Sequence, residues 1–353
     1  MEAAMRHTTR SAPPDAAGRN HCLDFFKGIA AICVIFVHIP FPGVFGKFIS
    51  SLGSSGVMLF FLISGFHAYG DRETMCPKLM KRFRRNLILL VTAILVYFLV
   101  AAVLHHFGYR DLHSWIRGFA KPKFYLNMLL FSDLELVHGG PLWFMFALLY
   151  AYLIFWGMYK LRLQRFAKFA MPFFILLRIV LESYKYAVDG DWRICSNVFV
   201  AALPLMLLGY CIAENQEKLK RIPAAASAAC AVLSLIGLYL LIRFDPFRYN
   251  ITQICKLTAV ASVFLFTMKQ PHLRIFSPLC MLGRDVSLHV YLWHMPVILI
   301  CYALFNRRGY PQRFYDWYLP LIVAVTAVLL AILIVAVRRA CGKLRHKPKT
   351  ASV

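Results

Sequence analysis

Charged side chains are scarce in this sequence. Only 16% of its 353 residues are Asp, Glu, Lys or Arg, and they cluster between long apolar runs. Hydrophobic residues make up 60% of the chain, whereas soluble domains contain about 45–50%. The composition leaves no room for a large soluble domain and predicts an integral membrane protein.

Metal-binding and disulfide patterns are also missing. The ten cysteines form no CxxC pair and show no Cys/His spacing of a zinc site. Most of them lie inside apolar runs, where a thiol behaves as a small hydrophobic group. We therefore expect neither a metal site nor a disulfide framework. The first 21 residues are polar and lack the apolar core of a signal peptide, so we expect none.

Acidic residues are few. There are 16 Asp and Glu against 40 Lys and Arg, which gives a formal net charge of +24 at pH 7. Such an excess can indicate nucleic-acid binding. In a protein of many spans, however, lysines and arginines collect in cytoplasmic loops and contact anionic lipid. We expect membrane lipid as a partner and no nucleic acid.

Ten runs approach the length of about 20 apolar residues that a spanning helix needs. They predict an all-α integral membrane fold with about ten transmembrane helices, at residues 24–41, 53–70, 86–107, 141–160, 168–187, 194–213, 223–242, 250–268, 279–304 and 317–337. A shorter run at 125–132 predicts an interfacial or re-entrant segment.

The loop charges predict the orientation. With the N-terminus inside, 24 of the 40 lysines and arginines lie in the inner segments and 11 in the outer loops. This asymmetry places both termini in the cytoplasm. The predicted organisation is a cytoplasmic tail at 1–22, a transmembrane domain at 23–337 and a basic cytoplasmic tail at 338–353.

The first span carries ionisable residues. Lys27 and His38 are eleven residues apart, so they share a helix face about 16 Å from one another. In this orientation Lys27 is near the cytoplasmic boundary and His38 is deep in the membrane. Ionisable residues within spans usually face a cavity or a partner, which makes each a functional hypothesis. The alternative is a neutral histidine that is hydrogen-bonded to a neighbouring helix.

The second span contains small residues that permit close helix packing, at Gly53, Gly56, Ser64 and Gly65. A basic segment follows it. This segment is interpreted either as an anchor at the cytoplasmic face or as a site for the phosphates of a nucleotide-containing ligand. Its basic residues are Lys78, Lys81, Arg82, Arg84 and Arg85.

Four further positions stand out. His289 and His294 are five residues apart, about 140° around a helix, so they are not expected to share a metal ion. Trp143 can be an interfacial residue. Glu182 shares a face with Arg178 and Lys185, a pattern typical of an intramembrane ion pair.

Taken in order, four segments resemble the acyltransferase-3 family, including its sugar O-acetylase-like members. They are LDFFKGIAAICVIFVH (23–38), FFLISGF (60–66), KRFRR (81–85) and SLHVYLWHMP (287–296). The resemblance extends over essentially the whole chain. The ordered set carries it, since no single motif is highly specific.

The resemblance implies a multi-pass acyltransferase of the bacterial cytoplasmic membrane. It would take an acyl group, commonly acetyl, from cytoplasmic acyl-CoA and pass it to a hydroxyl of an envelope glycan or a glycolipid precursor. Acetyl-CoA is then a donor substrate, and no permanently bound cofactor is expected.

The resemblance also assigns residues. The family's motif of a basic residue, a ten-residue gap and a histidine maps onto Lys27 and His38, with lysine where arginine is usual. Its arginine cluster maps onto Arg82, Arg84 and Arg85. We expect His38 to be the general base, because a neutral imidazole can remove a hydroxyl proton.

The other expected roles follow from position. Asp24 would balance Lys27, which is three residues further on. Acyl-CoA would be bound by Lys81, Arg82, Arg84, Arg85 and Ser64, with His294 and Trp143 as possible further site residues.

Two other functions fit the pattern. A transporter or flippase of a glycan precursor would show inverted repeats and paired Gly/Pro-broken helices. Pro204 and Pro296 lie in late spans without a convincing mirrored pair. If the chain were a lipid-binding sensor or a structural protein, the buried position of His38 and the presence of the basic segment would be coincidental. The sequence leaves the acceptor, the acyl group and the oligomeric state open.

Overall fold

The computed structural model describes residues 18–107, 111–245, 248–305 and 308–345. This part of the chain is helical and holds no β-strand. Its α-helices, numbered in chain order, are α1 His21–His38, α2 Gly43–Phe66, α3 Arg72–His106, α4 Leu112–Phe119, α5 Pro122–Phe131, α6 Trp143–Lys160, α7 Ala167–Ala187, α8 Leu203–Glu214, α9 Gln216–Leu219, α10 Ala224–Phe244, α11 Tyr249–Lys269, α12 Ser277–Met281, α13 Ser287–Phe305 and α14 Leu319–Arg345.

Eight helical segments of the described chain are long and apolar enough to cross a membrane, which confirms the all-α membrane fold. Helix α7 and the shorter apolar segment Val198–Glu214 coincide with the fifth and sixth predicted spans without meeting the same criteria. The count of ten crossings and the orientation stay predictions. Most of the two predicted tails, at residues 1–17 and 346–353, lies outside the described residues.

The end of α1 is set by a proline. Pro40 disfavours helical geometry in the residue before it, and Ile39 leaves the helix at φ −138° and ψ 76°. Helix α1 therefore ends at His38 and not at residue 41, and the imidazole lies at the helix end. At the other end, the Asn20 side chain accepts a hydrogen bond from Leu23 N at 2.8 Å and caps the helix.

Two helices begin earlier than their apolar runs. Helix α2 starts at Gly43, and α3 starts at Arg72 and continues for 35 residues. The basic segment at 77–86 is therefore the first part of α3 and not a loop. Lysine, arginine, leucine and methionine favour helix there. The segment at 125–132 falls on α5, a ten-residue helix with no buried residue.

Helix α1 lies at the centre of the bundle, packed against α2, α12 and α13. One apolar core surrounds α2, α3, α6 and α8, and a second joins α1 to α13 and α14. In this arrangement α1 separates the two cores. Side chains that α1 presents to α2 and α13 are therefore enclosed by helices and not by lipid.

Glycines bring α2 against its neighbours, as its small residues predict. A Cβ at Gly53 would collide with the backbone of Cys33 in α1, and one at Gly65 with that of Met206 in α8. Gly209 in α8 meets Leu62 in the same way. Ser64 instead donates to Phe60 O within its own helix at 2.9 Å. Close backbone packing thus fixes α2 between α1 and α8.

Replacing Gly65 by alanine is expected to destabilise the fold by about 1–3 kcal/mol, since the added methyl group overpacks the α2–α8 contact. The thermal unfolding midpoint of the protein in detergent measures the effect. Gly157 in α6 is the matched control, because a Cβ there meets nothing within 4 Å. Gly157→Ala is expected to be neutral or to stabilise by up to about 1 kcal/mol. Equal midpoints for the two variants would contradict this packing.

Candidate active site

His38 borders a cavity of about 220 Å³ inside the helix bundle, the His38 cavity. Apolar side chains of α1 and α2 and the rings of Trp143 and Tyr291 form much of its wall. The other polar groups on it are Ser54, Arg178, Glu182, Lys185, Ser196, Gln253 and Lys256. The cavity is therefore a space between helices that holds one half-buried imidazole and several charged side chains.

A second histidine adjoins His38. The ring of His294, from α13, lies 5.2 Å from that of His38 between centroids, and His294 is fully buried. Its Nδ1 is 2.7 Å from Tyr291 O. A carbonyl oxygen only accepts hydrogen bonds, so Nδ1 carries the proton and Nε2 carries the lone pair. That Nε2 is buried without a hydrogen-bond partner among the described residues.

Two tyrosines fix the position of α13. Tyr97 of α3 donates to Leu292 O at 2.9 Å, and Tyr291 donates to Pro141 O just before α6. Both hydroxyls are within the apolar core, where an unmade hydrogen bond is costly. These contacts hold the turn that carries His294 against α3 and α6.

One wall of the His38 cavity is charged. Glu182 Oε1 lies 3.3 Å from Arg178 Nη2, and its Oε2 lies 3.6 Å from Lys185 Nζ. Arg178 also donates to Val200 O at 2.9 Å, within the π-helical turn Val198–Ala202 that precedes α8. The ion pair predicted for Glu182 is present, and it faces the cavity that holds His38.

A larger cavity adjoins this one. It has a volume of about 560 Å³ and lies between the α1–α2 connection at Pro40 and the facing ends of α10 and α11. We call it the vestibule. Gln253 and Lys256 of α11 line both the vestibule and the His38 cavity. These two side chains therefore stand where the cavities meet.

A basic cluster lies at the end of α1 that is opposite to His38. It contains Arg19, Lys27 and Arg82, and we call it the Arg82 end. Asp24 Oδ2 is 2.8 Å from Arg19 Nη2, and Asp24 Oδ1 is 3.3 Å from Lys27 Nζ. The expected pairing of Asp24 with Lys27 is thus present. Arg82 of α3 donates to His67 O at 2.9 Å and ties the start of α3 to the end of α2.

His67 lies close to two of these cations, Arg82 and Lys27. Burial, together with the charges of Arg82 and Lys27, lowers the pKa of His67. His67 is therefore neutral at pH 7, and the positive charge at the Arg82 end is carried by lysine and arginine. Two elements distant in sequence, α1 and α3, thus supply cations to one cluster.

Ser64 is part of the same region. The Tyr152 hydroxyl lies near Ser64 and Asn86, and it is in the field of Arg82 and Arg85. Asn86 is buried, Arg82 is half-buried, and Arg85 is exposed. The arrangement is a polar strip that leads from the arginines of α3 toward the interior.

The predicted site residues therefore divide into two groups. Lys27, Ser64, Arg82 and Arg85 lie at the Arg82 end, whereas His38, His294 and Trp143 lie at or beside the His38 cavity. Neither Lys27 nor Asp24 borders that cavity. Lys81 and Arg84 are exposed on α3.

Lys256 and Gln253 were not predicted as site residues. The sequence does mark Lys256 as a candidate, because it is an ionisable residue within the apolar run 250–268. In the part of the chain that the structure describes, no three His, Cys, Asp or Glu side chains are grouped so that they could hold a metal ion.

Comparison with known protein families identifies a match over most of the chain. The family model described as an acyltransferase domain (Acyl_transf_3) matches residues 20–337. No curated protein and no solved structure matches the chain. The matched range begins at the cap of α1 and ends within α14, and it includes both the Arg82 end and the His38 cavity.

Proposed function

The chain belongs to the acyltransferase domain family, and from this premise we propose that it transfers an acetyl group from acetyl-CoA to a hydroxyl of an envelope glycan or its lipid-linked precursor. The observation that carries the proposal is the position of His38. Its imidazole borders a cavity inside the bundle, with a cationic cluster at the far end of the same helix.

The Arg82 end is the proposed donor site. Arg82, Arg85 and Lys27 offer positive charge to the phosphates of acetyl-CoA, and arginine can bind phosphate through two hydrogen bonds. Ser64 and Tyr152 extend this polar surface inward. The exposed Lys81 and Arg84 add to the positive field. The pantetheine arm would then run toward His38, about 16 Å further along α1.

His38 is the proposed general base. It accepts the proton of the acceptor hydroxyl while that oxygen forms a bond to the thioester carbonyl carbon. The carbon–sulfur bond then breaks, and the proton passes to the departing sulfur of CoA. Within the low-polarity bundle, a neutral imidazole can act as base without first losing a proton.

The orientation is part of the proposal. The segments on the side of the Arg82 end carry 24 lysines and arginines and the opposite connections carry 11, so the Arg82 end faces the cytoplasm. Acetyl-CoA would enter there, and the acceptor would reach His38 through the vestibule. The proposed membrane is the bacterial cytoplasmic membrane, as the family resemblance implies.

Mass spectrometry of envelope glycans tests the function. Cells that express the chain are expected to carry acetyl esters that cells with a deletion lack, at unchanged polymer yield. In parallel, the purified protein should transfer label from acetyl-CoA to glycan isolated from the deletion cells. Loss of the polymer itself, with no transfer in vitro, would contradict an acyltransferase and support an export role.

Arg85→Gln tests the donor site. We expect the KM for acetyl-CoA to rise about tenfold, the effect of losing one charged hydrogen bond to phosphate. The KM for acetyl-pantetheine, which lacks the nucleotide phosphates, should not change. Arg165, an exposed arginine beyond the end of α6, is the control, and Arg165→Gln should match the wild type. An equal rise for both donors would place Arg85 outside the phosphate site.

A further inference from the structure

Lys256 is a buried cation without a direct partner. It lies in α11, a candidate spanning helix, and only 7% of it is exposed. Among the residues that the structure describes, no hydrogen bond or ion pair reaches its ammonium group. Burying a charge is costly unless it is paired. Lys256 therefore presents to the cavities a positive charge that no side chain of the described residues pairs directly.

The protein's own carboxylate is already engaged. Glu182 acts on Lys256 electrostatically, but its two oxygens form ion pairs with Arg178 and Lys185. Three cations and one carboxylate thus border the His38 cavity. The vestibule adds Lys47. The two connected spaces carry an excess of positive charge.

Lys256 also stands at the junction of the two spaces. It borders the vestibule on one side and the His38 cavity on the other, and Gln253 accompanies it one helical turn earlier. A molecule that moves from the vestibule to His38 passes these two side chains. The ammonium group and the amide can both donate hydrogen bonds to it.

We propose that Lys256 and Gln253 bind an anionic group, a carboxylate or a phosphate, on the acceptor sugar whose hydroxyl faces His38. This inference rests on the proposed function and names its acceptor class, an acidic or phosphate-linked sugar. The anion supplies the charge that Lys256 lacks. A neutral sugar would leave the lysine buried and unpaired, so the site discriminates against it.

Binding of three sugars to the full chain in detergent, without acetyl-CoA, tests the inference by isothermal titration calorimetry. Methyl β-glucuronide represents a carboxylate source, glucose 1-phosphate a phosphate source, and methyl β-glucoside is the uncharged reference. We expect at least one charged sugar to bind about tenfold or more tightly than the glucoside. The stronger of the two identifies the anion.

Lys256→Met is expected to remove this preference, and Lys256→Arg to keep it. Lys220→Met is the control, since Lys220 pairs with Glu217 on the exposed surface. Equal affinities for all three sugars in the wild type, no binding of any, or a preference that survives Lys256→Met would overturn the inference. If Lys256→Met fails to fold, the wild-type preference for methyl β-glucuronide over methyl β-glucoside decides the test, because the Arg82 end is proposed to bind phosphates. Anion binding without any acetyl transfer would contradict the proposed function and leave this site standing.

Discussion

Replacing His38 by alanine is expected to lower the rate of acetyl transfer by about 10²–10⁴-fold, the usual contribution of a general base. The cavity offers no second imidazole, because His294 does not border it. The binding of acetyl-CoA should be unchanged, since the phosphates are proposed to bind at the Arg82 end. Transfer of label from acetyl-CoA and equilibrium binding of CoA measure the two quantities separately.

His272 provides the control for this variant. It is an exposed histidine in the connection between α11 and α12, so His272→Ala should retain the wild-type rate. Wild-type transfer by the His38 variant would exclude His38 as the base. A loss of CoA binding together with activity would show instead that the substitution disturbs α1 as a whole.

The fold class was predictable because apolar runs are local features of the sequence. Each predicted span lies on a helical segment over most of its length. The largest errors lie where a helix extends beyond its apolar run, as α2 does before residue 53 and α3 does before residue 86. The charged start of α3 is helical because of its residue types, which a search for apolar runs does not detect.

The site was predictable where its contacts are local. The pairing of Asp24 with Lys27 follows from a spacing of three residues on one helix. The ion pairs of Glu182 follow in the same way. The contact between His38 and His294 cannot be predicted in this way. Helices α1 and α13 are about 250 residues apart in the sequence, and no spacing rule relates them.

The surroundings of Lys256 could not be predicted from the sequence for the same reason. A lysine within an apolar run marks a functional position, but the sequence does not tell which cavity the side chain borders. That depends on how α11 packs against α2 and α7. The junction between the vestibule and the His38 cavity is a property of this packing alone.

The contact between the two histidines leads to the second large expected effect. Nε2 of His294 carries a lone pair and lacks a partner among the described residues, and the neighbouring ring is that of His38. It can accept a hydrogen bond from one nitrogen of His38, directly or through a water molecule. The other nitrogen of His38 is then left as the base, facing the cavity. His294 would thus be a positioning residue.

His294→Leu is therefore expected to lower kcat about 10²-fold, the scale of losing catalytic orientation, with the KM for acetyl-CoA unchanged. His294→Gln can place an amide oxygen near the position of Nε2, whereas His294→Asn keeps only the donor near Nδ1. The glutamine variant should recover more activity than the asparagine variant. Steady-state kinetics of the three purified variants, at matched thermal stability, measure this order.

The order of the variants separates positioning from packing. If His294 only fills space, leucine should preserve activity best, because it is apolar like the surrounding core. If only the hydrogen bond from Nδ1 to Tyr291 O matters, the asparagine variant should be more active than the glutamine variant. His289→Ala on the same helix is the control, since the His289 ring contacts Trp293 and does not border the His38 cavity. Activity in the order glutamine, asparagine, leucine is expected only if the lone pair on Nε2 orients His38.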